Sequence, residues 1–139
     1  MLVHLSISQF TLVEHLELEL KAGMTTITGE TGAGKSILLG ALGLALGNRI
    51  DGNIVRKGAE KTDISATFII SEKVIKWLDS HDYPVEDDTC ILRRVITQEG
   101  RSRGYINGRN ASATELKALA NQLIDIHGQH AHQSLMQKD

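Results

Sequence analysis

The sequence predicts an α/β fold, and three observations carry that prediction. The first is the run Gly29-Glu30-Thr31-Gly32-Ala33-Gly34-Lys35-Ser36, a glycine, four residues, and then Gly-Lys-Ser. The second is its setting. Met24-Thr25-Thr26-Ile27-Thr28 reads as a strand leading in, and the apolar stretch from Ile37 to Leu46 reads as a helix leading out. The third is a regular alternation of apolar and polar residues ahead of the loop, the pattern of half-buried strands.

Strand, loop and helix in that order suit a triphosphate. The glycines let the backbone wrap closely around phosphate oxygens, and consecutive N–H groups then point inward as an anion-binding nest. The helix that follows adds its positive amino-terminal end. Residues Gly29 to Ser36 are therefore the candidate ATP site. Lys35 is the residue type and position to reach the β and γ phosphates, and the Ser36 hydroxyl to ligate Mg²⁺.

Taken in order, Val3, Leu5 and Ile7 alternate with His4, Ser6 and Ser8, which predicts a strand over 2–8. After Gln9-Phe10-Thr11-Leu12 the alternation returns, with Leu16, Leu18 and Leu20 opposed to His15, Glu17 and Glu19. Lys21-Ala22-Gly23 turns the chain toward the loop strand. The helix from Ser36 to Leu46 is apolar nearly all round, which predicts burial, and Gly47-Asn48 is its expected stop. From Arg49 to Lys61 the chain reads as a loop with a short strand near Ile54-Val55. Ile64 to Ile70 predicts a strand, and Ser71 a cap for a helix reaching about His81, with Val74, Ile75 and Leu78 on one face. Pro84 and Glu86-Asp87-Asp88 close that segment. Thr89 to Thr97 and Tyr105-Ile106-Asn107 predict two strands joined through a 98–104 hairpin loop. Ser112-Ala113-Thr114-Glu115 is a capping box for a helix with Leu116, Leu119 and Leu123 inward. Leu123 to Ile126 then reads as a buried strand ending at His127-Gly128-Gln129-His130.

The whole chain bounds the partners. Its 139 residues suit one domain with a real core, and a net charge of −2 means that any nucleic-acid contact must be a local patch. A single cysteine, Cys90, excludes an internal disulfide. The longest apolar run is interrupted by Gly40, Gly43 and Gly47 and is too short for a membrane span, and Glu14, Glu17 and Glu19 do not suit a signal peptide. The expected location is the cytoplasm, with no membrane partner.

A complete triphosphatase of this type also needs an acid near Mg²⁺. Phe68-Ile69-Ile70-Ser71-Glu72 imitates four apolar residues followed by acid but lacks the Asp, and Leu123-Ile124-Asp125 is weaker. The second motif is missing, so either the chain is a fragment or another segment completes the site. Arg93, Arg94, Arg101, Arg103 and Arg109 concentrate in one hairpin and its exit. They read either as a solvated sheet edge or as a phosphate-contacting DNA patch, with Arg101 and Arg103 as the candidate contacts. His127, His130 and His132, with Asp125, suggest a metal site, although their spacing fits none of the usual zinc patterns.

One order of motifs joins these features. An amphipathic hairpin is followed by the Gly29–Ser36 loop, a Val55-Arg56-Lys57-Gly58 turn, the Arg-rich hairpin with Tyr105-Ile106-Asn107-Gly108-Arg109, and Ile124-Asp125-Ile126-His127-Gly128-Gln129-His130. It resembles the N-terminal head segment of the RecN family of bacterial DNA-repair ATPases, in the SMC-like branch of ABC-type ATPases. The resemblance runs over essentially the whole chain. It implies the N-terminal lobe of an ABC/SMC-type P-loop NTPase head, with an antiparallel β subdomain and a mixed or parallel core sheet. It makes residues 1–139 the first part of a split head, lacking the coiled coil and the C-terminal head segment that would supply the signature and the acidic motif. It gives Gln129 the place of the glutamine that contacts Mg²⁺ and the attacking water, against a plain reading as a solvated loop residue. Arg56 would approach nucleotide phosphates or the partner head. The implied partners are DNA, the C-terminal half of the same head, and a second head in an ATP-sandwiched homodimer, and the implied place is the nucleoid. A small-molecule P-loop kinase and a non-catalytic nucleotide- and DNA-binding module are the alternatives. Two strands before the loop and the lack of a recognisable lid weigh against the kinase.

Overall fold

A computed structural model describes residues 1–19, 32–50 and 52–125, with the backbone alone at 32–35, 124 and 125. The loop strand expected over 24–28 and the segment carrying Gln129 lie outside the described residues.

The amino-terminal hairpin forms as its alternation requires. Strand β1 (Leu2–Phe10) pairs antiparallel with β2 (Val13–Glu19), setting Leu5 opposite Leu18 and Ile7 opposite Leu16. The alternation then breaks. Gln9 adopts a left-handed φ of 57°, and Phe10 in place of Gln9 enters the core. Beyond it the Thr11 N–H donates to Ile54 O at 2.8 Å and the Arg56 N–H to Gln9 O at 2.9 Å. The short strand expected near Ile54-Val55 is thus a single bridge between Phe10 and Val55.

Helix α1 (Gly32–Ala45) begins four residues before the expected Ser36, so the loop's Gly-Lys-Ser lies within its first turn and a half. Leu38, Ala41, Leu44 and Ala45 bury its inner face. The helix stops at Gly47 as expected, because the Gly47 N–H donates to Leu44 O at 3.1 Å and the Asn48 N–H to Gly43 O at 2.9 Å. These paired bonds satisfy carbonyls the helix would leave open, and they need the left-handed φ of 98° that Gly47 supplies without strain.

Strand β3 (Lys61–Ile69) lies between β1 and β4 (Thr89–Thr97), with Thr62, Ile64, Ala66 and Phe68 turned inward. Helix α2 (Glu72–Ser80) buries Val74 and Leu78, while Ile75 is only half-buried. Ser71 stands at its N-cap but makes no side-chain cap bond. The Arg-bearing hairpin turns more tightly than expected, since β5 (Ser102–Ile106) starts inside the 98–104 segment. Asn107 and Gly108, at φ of 50° and 86°, then turn the chain into a short strand, β6 (Arg109–Ala111), that the sequence reading lacks. Asn-Gly with both residues left-handed matches the right-handed twist of a tight hairpin.

Helix α3 (Ala113–Asp125) opens on the expected capping box. The Glu115 N–H donates to Ser112 Oγ at 3.1 Å, and the Ser112 N–H to Glu115 Oε1 at 3.2 Å. Here one expectation is overturned: Leu123 to Asp125 continue α3 and do not start a strand. Leu116, Leu119, Ala120 and Leu123 form one buried helical stripe, and that packing outweighs the local β preference of the residues after Leu123.

The sheet has six strands in the order β2-β1-β3-β4-β5-β6, and every pairing is antiparallel among the described residues. One face carries the core, where Leu5, Ile7, Ile64, Leu92, Ile96 and Ile106 meet side chains of α1, α2 and α3. Cys90 is buried there, and burial pushes its thiol pKa up to about 12. The other face carries His4, Ser6, Ser8, Asp63, Arg93 and Arg103, as the register places them. This is the antiparallel subdomain expected of the lobe.

Candidate active site

The amino end of α1 is the candidate phosphate grip. Gly32, Ala33, Gly34 and Lys35 are helical, and Ser36 is exposed. The first turn contains no acidic residue, so nothing on the helix offsets its positive end. That fits an anionic ligand with Mg²⁺ beside a serine hydroxyl. Gly29, Glu30 and Thr31 lie outside the described residues, as does Gln129.

The carboxyl end of α1 is built as carefully. The helix has no basic residue in its last turn. The cation comes from β4, where Arg94 shares the inward parity of Leu92 and Ile96 and is only 4% exposed. Its Nη1 donates to Leu44 O at 2.9 Å and to Asn48 O at 2.5 Å, and its Nε to Ser102 Oγ at 3.0 Å. Burial lowers the pKa of this guanidinium, because desolvation disfavours its charged form. The negative end of the helix is its compensation. Gly47 packs beside it against the first turn of α3, where an added Cβ would lie 2.7 Å from Ala113 O.

Helix α3 starts at this junction. Its first turn is held by Ser112, whose backbone N–H keeps the Glu115 carboxyl below its usual range. Tyr83 adds a hydroxyl to the same carboxylate, and burial first, then Glu115, pushes the Tyr83 pKa up to about 12.

The five arginines do not form one patch. Arg93 points away from the core, makes a two-pronged ion pair with Asp63 (Nε–Oδ1 3.0 Å, Nη2–Oδ2 2.6 Å), and lies 5.5 Å from the Tyr105 ring centre. Arg109 donates to Asp82 O at 2.9 Å. Arg101 and Arg103 are exposed at the β4–β5 hairpin and take no part in a salt bridge among the described residues. Arg56 and Lys57 border a groove of about 830 Å³ on the open sheet face, together with Lys61, Asp63 and Arg93. No group of three or more His, Cys, Asp or Glu residues converges to hold a metal among the described residues. The His127–His130–His132 cluster lies outside them. No described helix is long and apolar enough to cross a membrane.

Over residues 4–137 the sequence matches the AAA domain family. The chain belongs to this AAA family. Within it the chain is homologous along its whole length to the DNA repair protein RecN. It is 51% identical to that of Vibrio cholerae serotype O1 over 141 residues, covering 100% of this chain and 25% of the relative. With RecN of Haemophilus influenzae it is 45% identical, covering 100% and 26%, and with that of Bacillus subtilis 36%, covering 100% and 24%. The chain thus spans about a quarter of the length of these curated relatives. Among solved structures it superposes on a chain from work on ATP-driven dimerization and DNA-stimulated activation of SMC ATPases. The TM-score is 0.71 at 20% identity, covering 88% of this chain and 79% of that one. It superposes on the recombination mediator RecF bound to ATPrS with a TM-score of 0.65 at 18% identity, covering 84% and 29%. The resemblance to RecN holds, and the fold is that of SMC and RecF ATPase heads.

Proposed function

We propose that residues 1–139 are the N-terminal part of a split ABC-type ATPase head in a RecN-like protein of DNA double-strand break repair and recombination. The observation that carries this reading is the whole-length relation to RecN combined with a Gly-Lys-Ser helix start free of acidic residues. The backbone of Gly29 to Gly34 and the ammonium of Lys35 would hold the β and γ phosphates of ATP, and Ser36 and Gln129 would hold Mg²⁺. The ion supplies charge neutralisation at the phosphates. Gln129 orients the attacking water through its amide, which adds no charge. The catalytic acid comes from the C-terminal half of the same head, and a second head closes the ATP sandwich.

The chain alone then binds nucleotide without turning it over. Steady-state hydrolysis is expected near background for residues 1–139 and is restored when the C-terminal head segment is supplied. Robust turnover by the chain alone would contradict the split site.

DNA is the proposed macromolecular partner, with Arg101 and Arg103 as phosphate contacts. Their exposure outside any described ion pair favours this over a self-satisfied sheet edge. Each phosphate contact removed lowers the slope of log affinity against log salt by about 0.9. Replacing both arginines by glutamine is expected to flatten the slope by about 2 in a duplex titration. An unchanged slope would assign them to edge protection alone.

A further inference from the structure

Arg94 joins two parts of the molecule that the proposed cycle uses separately. Three bonds leave one buried guanidinium: one reaches Leu44 O in the last turn of α1, one Asn48 O just past the helix, and one Ser102 in the hairpin that carries Arg101 and Arg103. All three acceptors are neutral, and no described salt bridge includes Arg94. A buried cation without an anion is costly, and an apolar side chain would fill the space more cheaply. What the charge adds is direction. It fixes the α1 carbonyl end and the hairpin in one arrangement, since a fork of rigid N–H donors cannot follow one acceptor and keep the others.

The helix is a stiff link between its ends. Its 14 residues span roughly 20 Å from Gly32 to Ala45. A glycine contact tightens the far end: an added Cβ at Gly47, just past the helix, would stand 2.7 Å from Ala113 O at the start of α3. A shift of α1 along its axis therefore has no slack to enter at this end and must move Arg94 or break its bonds.

We propose that Arg94 is a positioning residue that couples nucleotide binding at the amino end of α1 to the β4–β5 hairpin through Ser102. The proposal rests on the nucleotide reading above. By reciprocity, whatever contacts Arg101 and Arg103 changes nucleotide affinity by the same factor.

Amide hydrogen exchange of the full-length protein, with and without a slowly hydrolysed ATP analogue and Mg²⁺, tests it. The Gly100 and Arg101 amides report on the hairpin, since they donate to Thr97 O at 2.9 Å and to Thr97 Oγ1 at 3.0 Å. In the unaltered protein the analogue is expected to protect residues 29–36 and to slow hairpin exchange about 5-fold. Ser102→Ala removes one hydroxyl at an exposed position, so it keeps the fold and the protection at 29–36 but loses the hairpin response. Ser102→Thr restores that response. Arg94→Lys keeps a cation without the fork and responds weakly. A hairpin response that persists in Ser102→Ala and Arg94→Lys, or one that is absent in the unaltered protein while 29–36 are protected, overturns the coupling. Lack of protection at 29–36 overturns the nucleotide reading and the coupling with it.

Discussion

Lys35→Ala is expected to lower ATP turnover of the reconstituted head about 100-fold or more, the scale of losing one positioned charge-stabilising group. The ammonium is the one full positive charge that the loop would bring to bound phosphates, and backbone N–H groups and the helix end would supply only partial charges. On the proposed reading both the bound triphosphate and the charge developing in the reaction would depend on it, so affinity and turnover are expected to fall together. The change also leaves the described core untouched, because α1 is anchored by Leu38, Ala41, Leu44 and Ala45, all beyond position 35. Circular dichroism and thermal midpoint should match the parent. Lys73→Ala, at an exposed position on α2, is the matched control and should leave turnover within error. Equal activity of Lys35→Ala and the parent would remove the loop from the mechanism.

What the sequence disclosed follows from the range of the interactions involved. The capping box at Ser112–Glu115 and the stop at Gly47 depend on residues within five positions, and both formed as expected. The β1–β2 hairpin was equally legible, because alternation fixes its faces. Longer-range choices were not. The placing of β3 between β1 and β4 follows no local signal, and the helical course of Leu123 to Asp125 is set by the stripe begun at Leu116. Two signals were present and unread. Asn107-Gly108 between apolar residues marks a tight hairpin turn, and β6 is its consequence. The parity of Leu92, Arg94 and Ile96 places Arg94 inward, whereas grouping arginines by nearness in sequence put it with Arg93 on one patch. The candidate site is proposed from its motif, since a phosphate grip is made by contiguous backbone. The buried cation bonded at the far end of α1 was not legible, because those contacts join residues 46 and 50 positions apart.

The same pair of neighbours gives the sharpest stability contrast. Arg94→Ala is expected to cost about 3 kcal/mol, from three lost bonds at about 1 kcal/mol each, with the void around the missing stem adding to this. Leu44 O retains the Gly47 N–H as a second donor, which limits the penalty there, while Asn48 O and Ser102 Oγ lose the Arg94 donors outright. For a domain of this size the loss corresponds to a fall of about 10 °C in thermal midpoint. Arg94→Met fills much of the volume without the charge and should recover part of the fall, since the desolvation cost of the guanidinium disappears with it. Arg93→Ala, one residue away, removes an ion pair whose partners are 45% and 30% exposed, worth about 0.5 to 1 kcal/mol after solvent screening. Its midpoint should move by no more than about 3 °C. Calorimetric melts of the three variants decide the matter: similar shifts for Arg93→Ala and Arg94→Ala would mean that the Arg94 bonds are as replaceable by water as those of a surface pair.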